Sequence, residues 1–167
     1  MRGDIPCFLS LESLIIINRT GKVKQKKMNY WLIKSEPNEY SYDDLLKLGR
    51  DHWDGVRNYQ ARNNLKAMKP GDLAFFYHSV KEKAIVAIAK CVSESYQDPT
   101  TSDDRWVVVD FAPHQQLKRQ VSLAEIKQKG ELAEMVLLKN SRLSVQPVKK
   151  EEFDFILKLS EEEWNSA

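Results

Sequence analysis

The sequence predicts an α+β domain whose mixed β-sheet curls toward a partly open barrel. Three observations carry that expectation. About five short stretches rich in aromatic and β-branched residues read as strands, with helices inserted between them. One of them, Ala84-Ile85-Val86-Ala87-Ile88-Ala89, is apolar on both faces and belongs in the middle of a sheet. Another, Arg142 to Val148, alternates: Leu143, Val145 and Pro147 point one way, Arg142, Ser144 and Gln146 the other. With 167 residues, 42% of them hydrophobic, the chain is long enough to bury a core without disulfides or metal.

The elements follow in order. Tyr30 to Lys34 reads as a strand that Glu36-Pro37 stops. Ser41 caps a short helix carrying Tyr42, Leu45, Leu46 and Leu48; Asp43 and Asp44 suit its first turn and Gly49 its end. A loop spans Arg50 to Arg57. Asn58 caps a second helix reaching about Met68, before Pro70-Gly71. On it Ala61, Leu65 and Met68 face the core, while Arg62, Lys66 and Lys69 line another face. Asp72 to His78 is a strand, Lys81-Glu82-Lys83 a turn, and Ala84 to Val92 the central strand. Asp98 to Asp104 is a polar loop, and Trp106 to Pro113 a further strand. Ser122-Leu123-Ala124-Glu125 is a capping box whose helix Gly130 ends. Glu131 to Leu138 continues as helix or turn. The strand Arg142 to Val148 precedes a last helix, Glu151 to Leu159, that buries Phe153, Ile156 and Leu157.

Residues 1–27 differ from the rest. Leu14-Ile15-Ile16-Ile17 is far short of a membrane span, and the cluster Lys22, Lys24, Lys26, Lys27 follows the apolar part, the reverse of a secretory signal. The expectation is an N-terminal extension over 1–27, upstream of a native start at Met28, and a single domain over 28–167. A basic targeting arm is the rival. The net charge of +2 hides this asymmetry. Arg2, Arg19 and the four lysines outweigh Asp4 and Glu12, so the remainder is slightly acidic. That excludes a strongly basic, non-specific nucleic-acid binder. Local patches remain, from Arg57 to Lys69 and from Lys139 to Lys150, and they suit one or a few phosphates.

Catalytic and metal patterns are weak. Cys7 and Cys91 form no CxxC, and no H-x-x-x-H, H-E-x-x-H or EF-hand spacing is present. Asp98, Asp103 and Asp104 lack the glycine and glutamate of a calcium loop. His78-Ser79 and Ser35-Glu36 each follow a strand, but no G-x-S-x-G elbow exposes a serine. No glycine-rich phosphate loop occurs, so no cofactor is expected.

What remains is recognition of a base held outside a duplex. Trp53-Asp54-Gly55-Val56-Arg57-Asn58-Tyr59-Gln60-Ala61-Arg62-Asn63 gathers an indole, a phenol, two guanidiniums and side-chain amides around one glycine. Trp31, Trp53 and Tyr59 offer flat walls, where stacking contributes roughly 1–3 kcal/mol per base. Asn58, Ser35, Ser144 and Gln146 offer donors and acceptors for a base edge. Arg57, Arg62, Lys66, Lys69 and Arg142 offer cations for phosphates.

Four strings in order strengthen this reading: Tyr30 to Pro37, Trp53 to Asn63, Gly71-Asp72 leading to Phe76-Tyr77-His78-Ser79, and Ser141 to Val148. Over about Met28 to Leu159 the chain resembles the EVE-domain family. The resemblance implies a PUA-like fold, a curled pseudo-barrel with short helices, related to readers of methylated adenine in RNA. It implies binding of nucleic acid with modified bases, modified cytosines in DNA among them, without an established catalytic activity. It places the ligand pocket on Trp31, Lys34, Ser35, Glu36, Trp53, Val56, Asn58, Arg62, His78, Ser79, Arg142, Ser144 and Gln146. The expectation is a monomeric, non-enzymatic reader with a DNA or RNA partner and no membrane. It would be cytoplasmic in a bacterium and nuclear in a eukaryote. Two alternatives stand beside it. One is an enzyme on a modified nucleotide or nucleic acid, with His78 as acid or base assisted by Ser79 or Glu36. The other is a sensor of a free nucleotide or other anionic metabolite.

Overall fold

A computed structural model of the chain describes residues 15–17, 23–25 and 27–162. The expectation for residues 1–27 therefore falls largely outside the described residues. Within that stretch Ile15–Ile17 (β1) pairs antiparallel with Val23–Gln25 (β2).

The domain then runs β3 (Tyr30–Ser35), α1 (Tyr42–Leu48), β4 (Asp51–His52), α2 (Tyr59–Ala67), β5 (Leu73–His78) and β6 (Ala84–Cys91). It continues through β7 (Tyr96–Gln97), β8 (Val107–Val108), β9 (Asp110–Ser122), α3 (Leu123–Lys127), a 3₁₀ turn at Gly130–Leu132, α4 (Val136–Lys139), β10 (Val145–Val148) and α5 (Lys150–Glu161). Six strands form one mixed sheet in the order β10-β3-β5-β6-β9-β4. The pair β3/β5 is parallel and its other pairs are antiparallel. Register shifts in β5/β6 and β6/β9 interrupt the ladder, and bulges of that kind bend a sheet into a half-barrel.

Alternation along β3 sets two cores. Trp31 and Ile33 join Phe76, Leu45, Leu65 and Met68 on the face covered by α1 and α2. Leu32 joins Phe75, Tyr77, Ile85, Ile88, Phe153 and Ile156 on the face covered by α3 and α5. The apolar strand β6 sits between β5 and β9, as its two-sided pattern requires.

The local signals work as expected at α1. Ser41 Oγ accepts the Asp44 N–H at 3.2 Å, and Asp44 returns by accepting the Ser41 N–H at 2.9 Å. Gly49, at φ 73°, closes the helix in the left-handed conformation.

Four expectations need correction. The segment Arg50 to Arg57 is not all loop, since Asp51–His52 pairs with Phe111 and Asp110 at the sheet edge. The strand after Trp106 does not end at Pro113; β9 runs to Ser122, with Pro113 opposite Ala89 near a register shift, where a missing N–H costs little. At Ser122 only half of the capping box forms. Ser122 Oγ accepts the Glu125 N–H at 3.1 Å, but the buried Glu125 carboxylate is held by Arg119 at 2.8 and 3.0 Å. In β10 the alternation breaks after Val145: Gln146 is fully buried and Pro147 exposed. The Gln146 amide turns inward to donate to the carbonyls of Leu143 (2.8 Å) and Asn140 (3.2 Å).

Candidate functional site

The centre of the candidate site is Trp53. Its backbone N–H donates to Val109 O at 2.9 Å, continuing the β4/β9 pairing by one residue and fixing the indole at the sheet edge. The ring is half-buried. It meets Tyr40 (centroids 6.0 Å, 83°), Phe76 (5.5 Å, 89°) and Phe111 (5.9 Å, 87°), all nearly perpendicular. Among the described residues no ring stacks flat on it. A half-buried indole with no described ring stacked parallel on it is a candidate stacking wall.

Ser35 ends β3 directly opposite His78 at the end of β5. Ser35 Oγ donates to Tyr40 O at 2.6 Å, and Glu36 O accepts the Tyr40 N–H at 2.9 Å. The turn after β3 thus delivers Tyr40 to the Trp53 ring. The Tyr40 hydroxyl is buried and faces the Asp51 carboxylate. Burial, then the nearby Asp51 carboxylate, push its phenol above the ordinary range, so it stays a protonated donor. Ser79 donates to Ser35 O through both its N–H (2.8 Å) and its hydroxyl (3.2 Å). The structure therefore brings Ser35, Glu36, Trp53, His78 and Ser79 together around Tyr40 and Phe76. Sequence reading missed both linking aromatics.

His78 has two bonds that give it a structural task. Its Nδ1 lies 2.7 Å from Glu82 Oε2, and its Nε2 accepts the Tyr42 backbone N–H at 3.2 Å. Both ring nitrogens are thus engaged by the protein itself. The ring ties the first turn of α1 to the end of β5, with neither nitrogen left for a substrate proton.

The second string is anchored from outside. Asp98 is fully buried. It accepts from Arg57 Nη1 (2.8 Å), Thr100 N (2.8 Å), Thr100 Oγ1 (2.6 Å) and, at 3.4 Å, Gly55 N. Burial alone would raise its carboxyl, but the Thr100 and Arg57 hydrogen bonds prevail and hold it below the usual range. Gly55 turns at φ 71°, a left-handed value that explains the glycine, since a Cβ there would meet nothing. Asn58 Oδ1 accepts the Ala61 N–H at 3.0 Å, so its acceptor serves as the cap of α2 and only its NH₂ is left to read a base edge.

Other predicted residues are placed elsewhere. Trp31 is buried; its Nε1 donates to Asp72 Oδ2 at 3.0 Å, while Asp72 also accepts from the backbones of Asn29 and Lys69. It packs in the core and does not wall an open pocket. Val56 is buried in the same core and Gln146 is inside β10. Lys34 lies on the opposite face of β3 from Ser35, its ammonium on Ser141 O (2.7 Å) and 5.5 Å from the Tyr77 ring centre. Burial lowers its pKa. Ser144 O accepts the Lys34 N–H at 3.0 Å, which holds the strip bearing Ser144 and the exposed Arg142 beside β3.

The cation row is shorter than expected. Arg57 is spent on Asp98 and leans over Trp106 at 5.6 Å. α2 ends at Ala67, before Lys69, whose ammonium pairs with Glu94 at 2.9 Å. Arg62 lies over the Tyr59 ring at 4.9 Å, held by Asn63 Oδ1 and Arg105 O. Among the described residues neither Arg62 nor the exposed Lys66 has an acidic partner. The described residues contain no cluster suited to a metal ion, and no helix in them is long and apolar enough to cross a membrane.

The EVE-domain profile matches residues 29–159. Human thymocyte nuclear protein 1 is 41% identical over 169 residues, covering 81% of this chain and 75% of that protein. A crystal structure of the human protein in complex with 5-methylcytosine-containing DNA superposes with a TM-score of 0.75 at 41% identity, covering 81% of this chain and 99% of that one. An NMR structure of a Rhodopseudomonas palustris protein gives 0.77 at 44% identity, covering 80% of this chain and 94% of that one.

Proposed function

The chain belongs to the EVE-domain family, and from that premise we propose that it is a non-enzymatic reader of modified cytosine in DNA. It takes the base, swung out of the helix, against Trp53. The observation that carries this reading is the half-buried Trp53 ring, on which no described ring stacks parallel. Ser35 and Ser79 supply polar groups around it. The human relative's complex with 5-methylcytosine-containing DNA supports the ligand class.

The mechanism is recognition, without a bond made or broken. Extruding a base costs a few kcal/mol. Stacking on Trp53 returns roughly 1–3 kcal/mol, and phosphate contacts from Arg62, Lys66 and Arg142 add a sequence-independent term. A 5-methyl group adds apolar area, where a buried methyl contributes about 0.8 kcal/mol. Selectivity for the modified base is therefore modest and set inside the pocket, while affinity is set largely outside it. The engagement of both His78 ring nitrogens by Tyr42 and Glu82 argues against the enzymatic alternative.

The test is an array of duplex DNA, single-stranded DNA and RNA, each with cytosine or 5-methylcytosine at one position, read at one salt concentration. The reading predicts preference for the methylated DNA. Equal binding across each cytosine/5-methylcytosine pair would contradict it.

A further inference from the structure

The turn between β5 and β6 contains a strained, exposed apolar residue at the edge of the candidate site. Val80 adopts φ 67°, and the Lys81 N–H donates to Ser79 O at 3.0 Å across it. That is a γ-turn of the positive-φ kind, which is rare and strained, and a β-branched residue suits it least. The side chain is nevertheless 55% exposed. Burial does not account for a valine here.

The turn is also stapled on both sides. Ser79 is bound to Ser35 O through its N–H and hydroxyl, and Glu82 to His78. Lys83, itself at φ 48°, offers its carbonyl to the Leu123 N–H at 2.7 Å. Strain of this kind persists where the surroundings over-determine it, and it concentrates at functional positions. The result is a rigid finger with an apolar tip. Its flanks are basic: a cleft of about 340 Å³ beside it is lined by Lys81, Lys83 and Lys127, with Glu82 engaged by His78.

We propose that Val80 is a wedge that enters the base stack of duplex DNA at the step from which the recognised base has been withdrawn, with Lys81 and Lys83 on the flanking phosphates. The inference rests on the reading of the chain as a base-extruding reader. A withdrawn base leaves a gap, and a small apolar side chain held rigidly beside the pocket fills it. The finger springs from Ser79, which is bonded to Ser35, and Ser35 is bonded in turn to the Tyr40 that meets Trp53. Pocket and wedge thus share one frame.

The test compares Val80→Gly, which suits the positive φ and removes the side chain, with Val80→Leu, which keeps an apolar tip. The probes are a duplex with one 5-methylcytosine, the same strand alone, and the duplex with that base mismatched. The proposal predicts that Val80→Gly weakens binding to the paired duplex about tenfold, the order expected when a wedge no longer helps to unstack one step. It predicts unchanged binding to the single strand, recovery on the mismatched duplex, and near-normal binding by Val80→Leu. A 2-aminopurine beside the target base should brighten with the unsubstituted protein and with Val80→Leu, and less with Val80→Gly. An unchanged duplex-to-single-strand ratio, or an equal loss on both, overturns the wedge while leaving the reader intact. An unsubstituted protein that binds methylated and plain DNA alike overturns both.

Discussion

Arg57 Nη1 lies 2.8 Å from Asp98 Oδ2, and that one contact reassigns an arginine that sequence reading gave to phosphate. The ion pair fastens the turn after Trp53 to the loop before β8. Breaking it by Arg57→Ala leaves a fully buried carboxylate with only its Thr100 and Gly55 donors. A loss of about 1–3 kcal/mol in urea unfolding is expected. The salt dependence of DNA binding should stay close to that of the parent. An arginine serving phosphate alone would give the opposite pattern, with stability intact and salt slope reduced.

Asp98 also sets a pH dependence. Its folded-state pKa is depressed, so the unfolded chain binds a proton more readily than the folded one. The resulting stability is fully present above the ordinary carboxylate range of about 4. It is lost as pH falls through the depressed value. The urea midpoint of the unsubstituted protein should fall on acidification below that range. Asp98→Asn should begin less stable and show a smaller fall, and equal acid sensitivity in the two proteins would contradict the assignment.

Arg62 and Lys66 are the α2 cations without an acidic partner among the described residues, whereas Lys69 is paired with Glu94. Arg62→Ala and Lys66→Ala should each weaken methylated and plain duplexes alike. Each should lower the slope of log affinity against log salt by about 0.9. Lys69→Ala should move the slope least. Titrations at three salt concentrations measure this directly.

Trp31 separates packing from recognition. Trp31→Phe removes the indole N–H on Asp72 and leaves a buried carboxylate short of one of its three donors. A stability loss of about 1–3 kcal/mol is expected, with the ratio of methylated to plain binding unchanged in the folded protein. A changed ratio would return Trp31 to the pocket.

Much of the fold could be read from the chain because its signals are local. Ser41 with Asp44, Gly49, Asn58 and the two-sided apolar run of β6 each state their role within a few residues. The errors arise where a distant partner decides. Arg57 looks free until Asp98, forty-one positions on, comes into reach. Gln146 looks solvent-facing until the carbonyls of Asn140 and Leu143 turn inward to meet its amide. Trp31 and Trp53 have similar local company. Only the position of Asp72 buries the first, and only the β4/β9 edge leaves the second half-open. Tyr40 and Phe76 could not be singled out, because nothing in their neighbours announces that a turn brings one of them across to the indole.

The central claim is that the half-buried Trp53 ring discriminates the base. The most direct measurement is the ratio of affinities for methylated and plain duplex DNA at one salt concentration, for the parent and for Trp53→Ala. A circular-dichroism melt confirms folding, and Trp53→Phe serves as the flat-ring control. The account predicts a ratio near one for Trp53→Ala, residual binding that still falls with salt, and a ratio largely kept in Trp53→Phe. A folded Trp53→Ala protein with the parental ratio would contradict it.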